Sequence, residues 1–140
     1  MSELSEEAIG YVVDVAVDLL DVSFAAVCLR RGGRTWWASQ VSEAAPDPMT
    51  LASTMSACAL QSEDTVLVEN ALEDERFADE SLVTEWGIRF FGGTVVYVSE
   101  GERAGTFCVM DDRARTPTEQ LRSHLEHLGE LVGHELALPR

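Results

Sequence analysis

The length and composition of the chain are those of a single globular domain. Its 140 residues are 46% apolar and 25% charged, which is enough chain and apolar side chain to bury a core. Twenty-five Asp and Glu against ten Arg give a net charge of −15, and a surface this negative repels nucleic-acid phosphates and anionic lipid headgroups. We therefore expect residues 1–140 to form one domain, with neither nucleic acid nor membrane as a direct partner. The acidic N-terminus lacks the basic stretch and apolar run of a secretory signal, so a cytoplasmic location is expected.

The N-terminal segment from Ser5 to Asp21 predicts an amphipathic helix that is apolar on two sides. One stripe of apolar residues recurs at helical spacing, and a second lies roughly opposite it, with acidic residues between them. Such a helix needs two partners, namely its own core and a second chain or domain. The first stripe is Leu4, Ala8, Tyr11, Val12, Val15 and Leu19, and the second, which we assign to a dimer interface, is Ile9, Val13, Ala16, Val17 and Leu20.

The middle of the chain predicts two hairpins separated by short helices and loops. Gly32-Gly33 joins the first pair of strands, because glycine adopts the positive φ of tight hairpin turns without strain. Gly92-Gly93 inside a long strand predicts a bulge or a close approach to the backbone. The predicted elements are strands at Phe24–Leu29 and Arg34–Gln40, a loop from Val41 to Thr50, a helix at Leu51–Gln61, a strand at Thr65–Val68, an acidic loop, a helix at Ser81–Trp86, and strands at Ile88–Val98 and Arg103–Met110.

A second long helix is predicted from Pro117 to about Ala137. Leu131 and Leu138 widen its apolar stripe, and we add them to the predicted dimer interface. Since strands joined by tight turns pair antiparallel, the predicted class is α+β. We expect a central antiparallel sheet of about five or six strands, with the terminal helices on one face and the short helices and loops over the other. That second cover leaves concave space, where a small ligand would bind.

The cysteines and histidines predict neither a catalytic pair nor a metal site. Cys28, Cys58 and Cys108 are flanked by apolar residues and form no C-x-x-C, which is typical of buried thiols. Whether Cys58 is redox-active is left open. All three histidines lie on the last helix, where His127 and His134 flank Glu130, a pattern more typical of a solvated or interfacial face than of a metal site. The cofactor, if there is one, is not identified.

Three linked stretches in the second half of the chain carry a family resemblance. Val66 to Phe77 is similar to the pattern L-V-V-x-D-A-x-x-D-x-R-F, Ile88 to Gly93 to I-R-F-Y-A-G, and Gly101 to Asp111 to G-x-x-x-G-T-x-C-V-x-D. These patterns belong to the GAF domain family, small-molecule-binding sensory modules related in architecture to PAS domains. Order, spacing and flanking helices agree over nearly the whole chain. The resemblance implies the fold and a sensory role, and it is much less specific for a ligand.

Two departures from the family patterns bear on the ligand. Asn70 stands where this subgroup usually has Asp, and Met55-Ser56-Ala57-Cys58 occupies a site that often reads Phe-Cys-x-His. Bilin-binding members commonly use a Cys-His pair. Because Cys58 is followed by Ala59, a covalent bilin is not expected.

Aromatic residues and arginines near the expected pocket are the candidates for ligand contact. Neighbouring side chains in a strand face opposite ways, so only one of each aromatic pair, Trp36-Trp37 and Phe90-Phe91, can line it. Arg76 and Arg89 could hold a carboxylate or phosphate, or could pair with local acids such as Asp74 or Asp79. The predicted ligand-binding residues are Trp37, Cys58, Trp86, Arg89, Phe90 and Phe91.

The resulting functional hypothesis is a non-catalytic sensory or ligand-binding domain. It would act as a homodimer through its first and last helices, or through a separate signalling partner. One alternative is a cysteine-dependent enzyme like the free methionine-(R)-sulfoxide reductases of this family, in which one thiol attacks and another resolves. Cys28 and Cys108 lie in predicted strands, and that class's cysteine arrangement is not found. The other alternative is an interaction module whose pocket is filled by its own side chains.

Overall fold

A computed structural model describes residues 3–31, 35–41, 54–99 and 101–138. These residues form a central sheet with helices on both faces, and the predicted α+β class is confirmed. The elements are α1 (Glu3–Leu20), β1 (Phe24–Arg31), β2 (Thr35–Val41), α2 (Thr54–Gln61), β3 (Val66–Val68), a 3₁₀ helix (Ala71–Glu73), α3 (Ser81–Thr84), β4 (Phe90–Ser99), β5 (Glu102–Asp111) and α4 (Glu119–Ala137).

The described strands form a five-stranded antiparallel sheet in the order β2-β1-β5-β4-β3. Both predicted hairpins are present, since β1 pairs with β2 and β4 pairs with β5. The predicted loop from Val41 to Thr50 begins one residue later, because Val41 is the last residue of β2. Its residues 42–50, the predicted turn at Gly32-Gly33 and the predicted helical residues 51–53 lie outside the described part of the chain. No helix among the described residues combines the length and apolarity needed to cross a bilayer.

The two terminal helices cover one face of the sheet and run antiparallel. Ser5 at the start of α1 donates from its Oγ to the carbonyl oxygen of Glu135 near the end of α4, at 3.2 Å. Thr118 caps α4, because its side chain accepts from the backbone N–H of Leu121. We call the cluster between these helices and the sheet the terminal-helix core. Its buried members are Ile9, Val13, Ala16, Leu20, Val22, Ala25, Val27, Phe90, Val96, Phe107, Val109, Leu121, Leu125, Leu128 and Val132.

The assignment of the two α1 stripes is wrong, because the predicted interface stripe faces the sheet. Tyr11, Val15 and Leu19 are instead 73%, 50% and 56% exposed. Helical spacing alone cannot distinguish two apolar stripes, and only burial shows that the stripe containing Ala16 is the one that faces the sheet. The buried members of the predicted interface are Ile9, Val13, Ala16 and Leu20, Val17 packs partly buried against the same core, and Leu131 and Leu138 are exposed.

The other face of the sheet is covered by α2, the 3₁₀ helix and α3, which form a second cluster that we call the short-helix core. A Cβ at Gly93 would lie 2.9 Å from the Cβ of Ala59 on α2, so the predicted close approach to the glycine pair is confirmed. The register of β4 against β5 is regular there and shifts further along, at Tyr97, so the glycine pair forms no bulge. The buried members are Ala26, Cys28, Met55, Ala59, Val68, Ala71, Phe77, Leu82, Val83, Ile88, Phe91, Cys108 and Met110.

Candidate functional site

Two open surface pockets, which we call hollows, lie on this side of the molecule, one at the segment that follows β3 and one at α2. The first, which we call the Arg76 hollow, has a volume of about 510 Å³. The second, the Cys58 hollow, has a volume of about 540 Å³ and is lined by Ala57, Cys58, Gln61 and Ser62. The Arg76 hollow is lined by Leu67, Val68, Glu69, Asn70, Glu73, Asp74, Glu75 and Arg76.

Two side-chain turns shape the segment that lines the Arg76 hollow. Asn70 accepts at its Oδ1 from the backbone N–H of Leu72 at 3.1 Å and so caps the 3₁₀ helix. Asp74 does the same for the N–H of Arg76 at 3.0 Å. Phe77 then anchors the segment in the short-helix core. An amide oxygen accepts this bond as a carboxylate oxygen would, which explains why Asn is tolerated where the family usually has Asp.

Arg76 is paired with Asp74 at the rim of this hollow. Its Nη2 lies 2.8 Å from Oδ2 and its Nε 3.0 Å from Oδ1, a bidentate pair, and the guanidinium lies 4.6 Å from the centroid of the Phe77 ring. The hydrogen bond from Arg76 lowers the pKa of Asp74. The hydrogen bond to Asp74 raises the pKa of Arg76, and Cys58 adds a smaller contribution in the same direction. The alternative in which Arg76 pairs with a local acid is therefore the one observed.

Two of the predicted ligand-binding residues lie on the α2 side of the sheet. Cys58 is partly exposed in the Cys58 hollow and packs against the short-helix core. Phe91 is fully buried in that core. Phe90 points the other way and is buried in the terminal-helix core, so its assignment to the pocket is wrong. The alternation of β4 separated the two rings as predicted, and the structure shows which of them faces α2.

The remaining predicted site residues do not join Cys58 and Phe91. Trp86 is 41% exposed and contacts Phe24 edge-on, with 6.3 Å between ring centroids. Arg89 donates from its Nη1 to the carbonyl oxygens of Ile88 and Val83, at 3.0 and 3.3 Å, so its guanidinium is engaged locally. The backbone of Trp37 lies in β2 opposite Leu29, and its side chain lies outside the described part of the structure.

All three cysteines are thiols and lie on the α2 side of the sheet. Cys28 and Cys108 are buried in β1 and β5, as predicted, whereas Cys58 is partly exposed. Cys108 donates to the Oγ1 of Thr106 at 3.3 Å. Among the described residues, no three groups of the kind that ligate metals come together.

A buried carboxylate at the end of β5 organises a third cluster, which sequence reasoning did not single out. Asp111 is fully buried and accepts from Ser23 Oγ at 3.0 Å, Arg113 Nη2 at 3.1 Å and Arg115 Nη1 at 3.3 Å. Burial raises the pKa of Asp111, but the bonds from Arg113 and Ser23 outweigh it and hold the pKa below its usual value. We call Ser23, Asp111, Arg113 and Arg115 the Asp111 junction. The family pattern ending at Asp111, with two arginines following, is the signal that could have found it.

The Asp111 junction holds the end of α1. Arg115 Nη1 donates to the carbonyl oxygens of Leu20 and Asp21 at 2.7 and 2.9 Å, and Arg113 Nη2 donates to Asp21 at 3.0 Å. Asp21 has a φ of +53°, the left-handed conformation that ends a helix. Cations at the last carbonyls of a helix satisfy otherwise unpaired acceptors and oppose the negative end of its dipole.

The fold and this arrangement of motifs define the structural class of the domain, and comparison with known proteins gives its family. The family model described as GAF domain matches residues 6–137, so the chain belongs to the GAF domain family. No curated protein sequence matches the chain.

Several solved structures share the fold at low sequence identity. The GAF domain of an Acinetobacter phosphoenolpyruvate-protein phosphotransferase is 19% identical with a TM-score of 0.76, covering 95% of this chain and 82% of that one. GAF3 of Slr1393 from Synechocystis, in its photoproduct state, is 15% identical with a TM-score of 0.76, at 95% and 93% coverage. A type II free methionine-R-sulfoxide reductase from Thermoplasma acidophilum is 9% identical with a TM-score of 0.76, at 96% and 93% coverage. At these identities the likeness shows the fold alone.

Proposed function

We propose that the protein is a non-catalytic sensory or ligand-binding regulatory domain. The observation that carries the proposal is the difference between the two faces of the sheet. The long terminal helices cover one face, whereas the other carries short helices, the Arg76 hollow and the Cys58 hollow. A small molecule bound at these hollows would contact the short elements directly and lie on the opposite side of the sheet from the terminal-helix core. The occurrence of this fold in a phosphotransferase GAF domain and in a domain with a photoproduct state supports a sensing role.

The charges of the Arg76 hollow favour a ligand that carries hydrogen-bond donors or a positive charge. Glu69, Glu73, Asp74 and Glu75 line it, and Arg76 is already paired with Asp74. An anionic ligand would have to break that pair and lie among the other carboxylates.

Native mass spectrometry of freshly purified protein tests ligand binding. We expect a bound small molecule that is lost from Asp74→Asn and retained in Glu102→Gln, a control change at an exposed acid that begins β5. An empty protein that no small molecule stabilises in thermal melts would favour the interaction module instead. The interaction module is supported by the packing of the short-helix core, which is filled by side chains of the protein such as Phe77, Phe91 and Met55.

The exposed face of the terminal helices is the proposed output surface, and we propose a cytoplasmic homodimer formed through it. Tyr11, Val15 and Leu19 on α1, with Leu131 and Leu138 on α4, supply exposed apolar side chains. Val15→Glu should give a folded monomer in light scattering, whereas Leu72→Glu, at an exposed residue of the 3₁₀ helix, should leave the dimer intact. If the wild-type protein is a monomer, the homodimer proposal fails, and the exposed face would instead bind a separate signalling partner.

A thiol-dependent reductase remains the second candidate, because Cys58 lies at an open hollow and the Thermoplasma acidophilum reductase shares the fold. A resolving thiol would have to be Cys28 or Cys108, and both are buried in strands. Incubation with free methionine (R)-sulfoxide and a thiol reductant tests this. Turnover that disappears in Cys58→Ser would overturn the non-catalytic proposal.

A further inference from the structure

Arg115 touches the lining of the Arg76 hollow and the end of α1 at the same time. Its backbone N–H donates to the carbonyl oxygen of Glu69 at 3.2 Å, and Glu69 lines the hollow. Its guanidinium donates to the carbonyl oxygens of Leu20 and Asp21, at 2.7 and 2.9 Å. We infer that Arg115 is a positioning residue that couples the Arg76 hollow to the C-terminal turn of α1. The inference rests on the proposed function, since it assigns a route by which that hollow would be regulated.

A second connection runs in parallel and ends at the same junction. The N–H of Ala71 donates to the carbonyl oxygen of Arg89, and the N–H of Arg89 donates to the carbonyl oxygen of Asp111 at 2.8 Å. The side chain of Asp111 in turn binds Arg115. Residue 69 is therefore held by Arg115 in the segment that follows β5, and residue 71 by Arg89, which is bonded in turn to the last residue of β5. A displacement of this part of the hollow must either break these bonds or move the segment with it.

The guanidinium of Arg115 is placed to pass such a movement to α1. Its centre lies 5.8 Å from the centroid of Phe90, which is buried in the terminal-helix core. The carbonyls of Leu20 and Asp21 end the helix and have no partner within it. Arg115 and Arg113 supply these partners, beside the bond from the Val22 N–H to the Val17 carbonyl oxygen that closes the turn at 3.3 Å. Leu19, one residue earlier, is part of the exposed apolar surface proposed as the output.

Amide hydrogen exchange in the full chain tests the coupling without any ligand. Asn70→Ala removes the Leu72 N–H bond that caps the 3₁₀ helix and so loosens the hollow. We expect exchange at the amides of residues 19–22 to rise about fivefold in this variant. Ser62→Ala is the matched control, because it also removes a side-chain bond to the N–H two residues on, that of Asp64, away from the junction. It should leave these amides within about twofold of wild type.

Two arginine backgrounds distinguish coupling from general loosening. Arg115→Met keeps the aliphatic stem and the backbone bond to Glu69 but removes the donors to α1. The rise caused by Asn70→Ala should therefore fall from about fivefold to within about twofold, and the remainder would pass through Asp111 and Arg113. Arg113→Met also removes an arginine from Asp111 and Asp21, yet Arg113 contacts those residues rather than Glu69, so the effect of Asn70→Ala should persist.

The inference is overturned if Asn70→Ala leaves exchange at residues 19–22 unchanged, or if its full effect survives in Arg115→Met. If Arg115→Met does not fold, the comparison of Asn70→Ala with Ser62→Ala in the wild-type background still tests whether loosening the Arg76 hollow raises exchange at residues 19–22. Because no small molecule is involved, failure here is distinguishable from failure to find a ligand by native mass spectrometry.

Discussion

Replacement of Asp111 by Asn should destabilise the protein measurably at neutral pH. The two side chains have nearly the same shape, so the change removes a charge without opening a cavity. Asp111 is fully buried and accepts from Ser23, Arg113 and Arg115. In the Asp111→Asn variant one of the two accepting oxygens would become an NH₂ group that faces the arginine donors. The free energy of unfolding should therefore fall.

The expected loss follows from the bonds to the charged carboxylate. Hydrogen bonds to charged groups contribute roughly 1.5–3 kcal/mol each, and breaking a fully buried ion pair costs about 3–5 kcal/mol. The Arg113 side chain is 62% exposed, so water replaces part of its interaction. We expect a net loss of about 2–3 kcal/mol, which lowers the urea midpoint by on the order of 1 M at an unchanged slope.

The difference between wild type and Asp111→Asn should also depend on pH in one direction. The pKa of Asp111 is held below its usual 3.8, so the folded protein binds its proton more weakly than the unfolded chain. A group of this kind stabilises the fold at pH values above the unfolded pKa, and the contribution is lost as the pH falls through the folded pKa. The full difference should be present at pH 7 and should shrink below about pH 4.

Urea titrations of both proteins at several pH values measure this difference, and other titrating carboxylates cancel between them. A loss below about 0.5 kcal/mol at pH 7 would show that the junction contributes little to stability. A difference that stays constant from pH 7 down to pH 3 would show that the charge of Asp111 is not responsible.

Three further predictions concern packing and the site. Chemical denaturation of Gly133→Ala should show a free energy of unfolding lower by about 1–2 kcal/mol, because the new Cβ would lie 2.3 Å from the Tyr97 carbonyl oxygen. This overpacking outweighs the higher helix propensity of Ala, and a more stable variant would contradict it. A disulfide reagent should modify Cys58 rapidly in the native protein and the other thiols only after unfolding, and rapid reaction that survives in Cys58→Ser would be the contrary result. In Arg76→Gln the pKa of Asp74 should rise toward 3.8 in a carboxyl NMR titration, since the lost hydrogen bond is what lowers it, and an unchanged pKa would show that Arg76 is not the cause.

Much of the architecture follows from local patterns. Tight turns between strand-like runs predict antiparallel pairing, and the long periodic segments predict the terminal helices. The face of α1 could not be assigned in this way, because both of its apolar stripes have helical spacing. Only the sheet distinguishes them, and the small Ala16 lies on the side that packs against it.

The candidate site was less predictable because it depends on contacts between distant segments. Alternation along β4 separates Phe90 from Phe91 but does not say which ring faces α2. Arg76 and Cys58 are 18 positions apart in the sequence, and only the fold brings them close enough for the thiol to affect the guanidinium. The same holds for Asp111 and Ser23, whose hydrogen bond spans 88 positions.

The glycine pair in β4 lets both covers of the sheet reach the backbone of the same strand. A side chain at Gly92 would meet Leu125 of α4 at 3.2 Å, and one at Gly93 would meet Ala59 of α2 at 2.9 Å. Side chains from both covers therefore rest directly on the backbone of β4 at this point, Leu125 of α4 on one face and Ala59 of α2 on the other. α2 cannot move inward without pushing β4 against α4, so the two faces cannot adjust independently here.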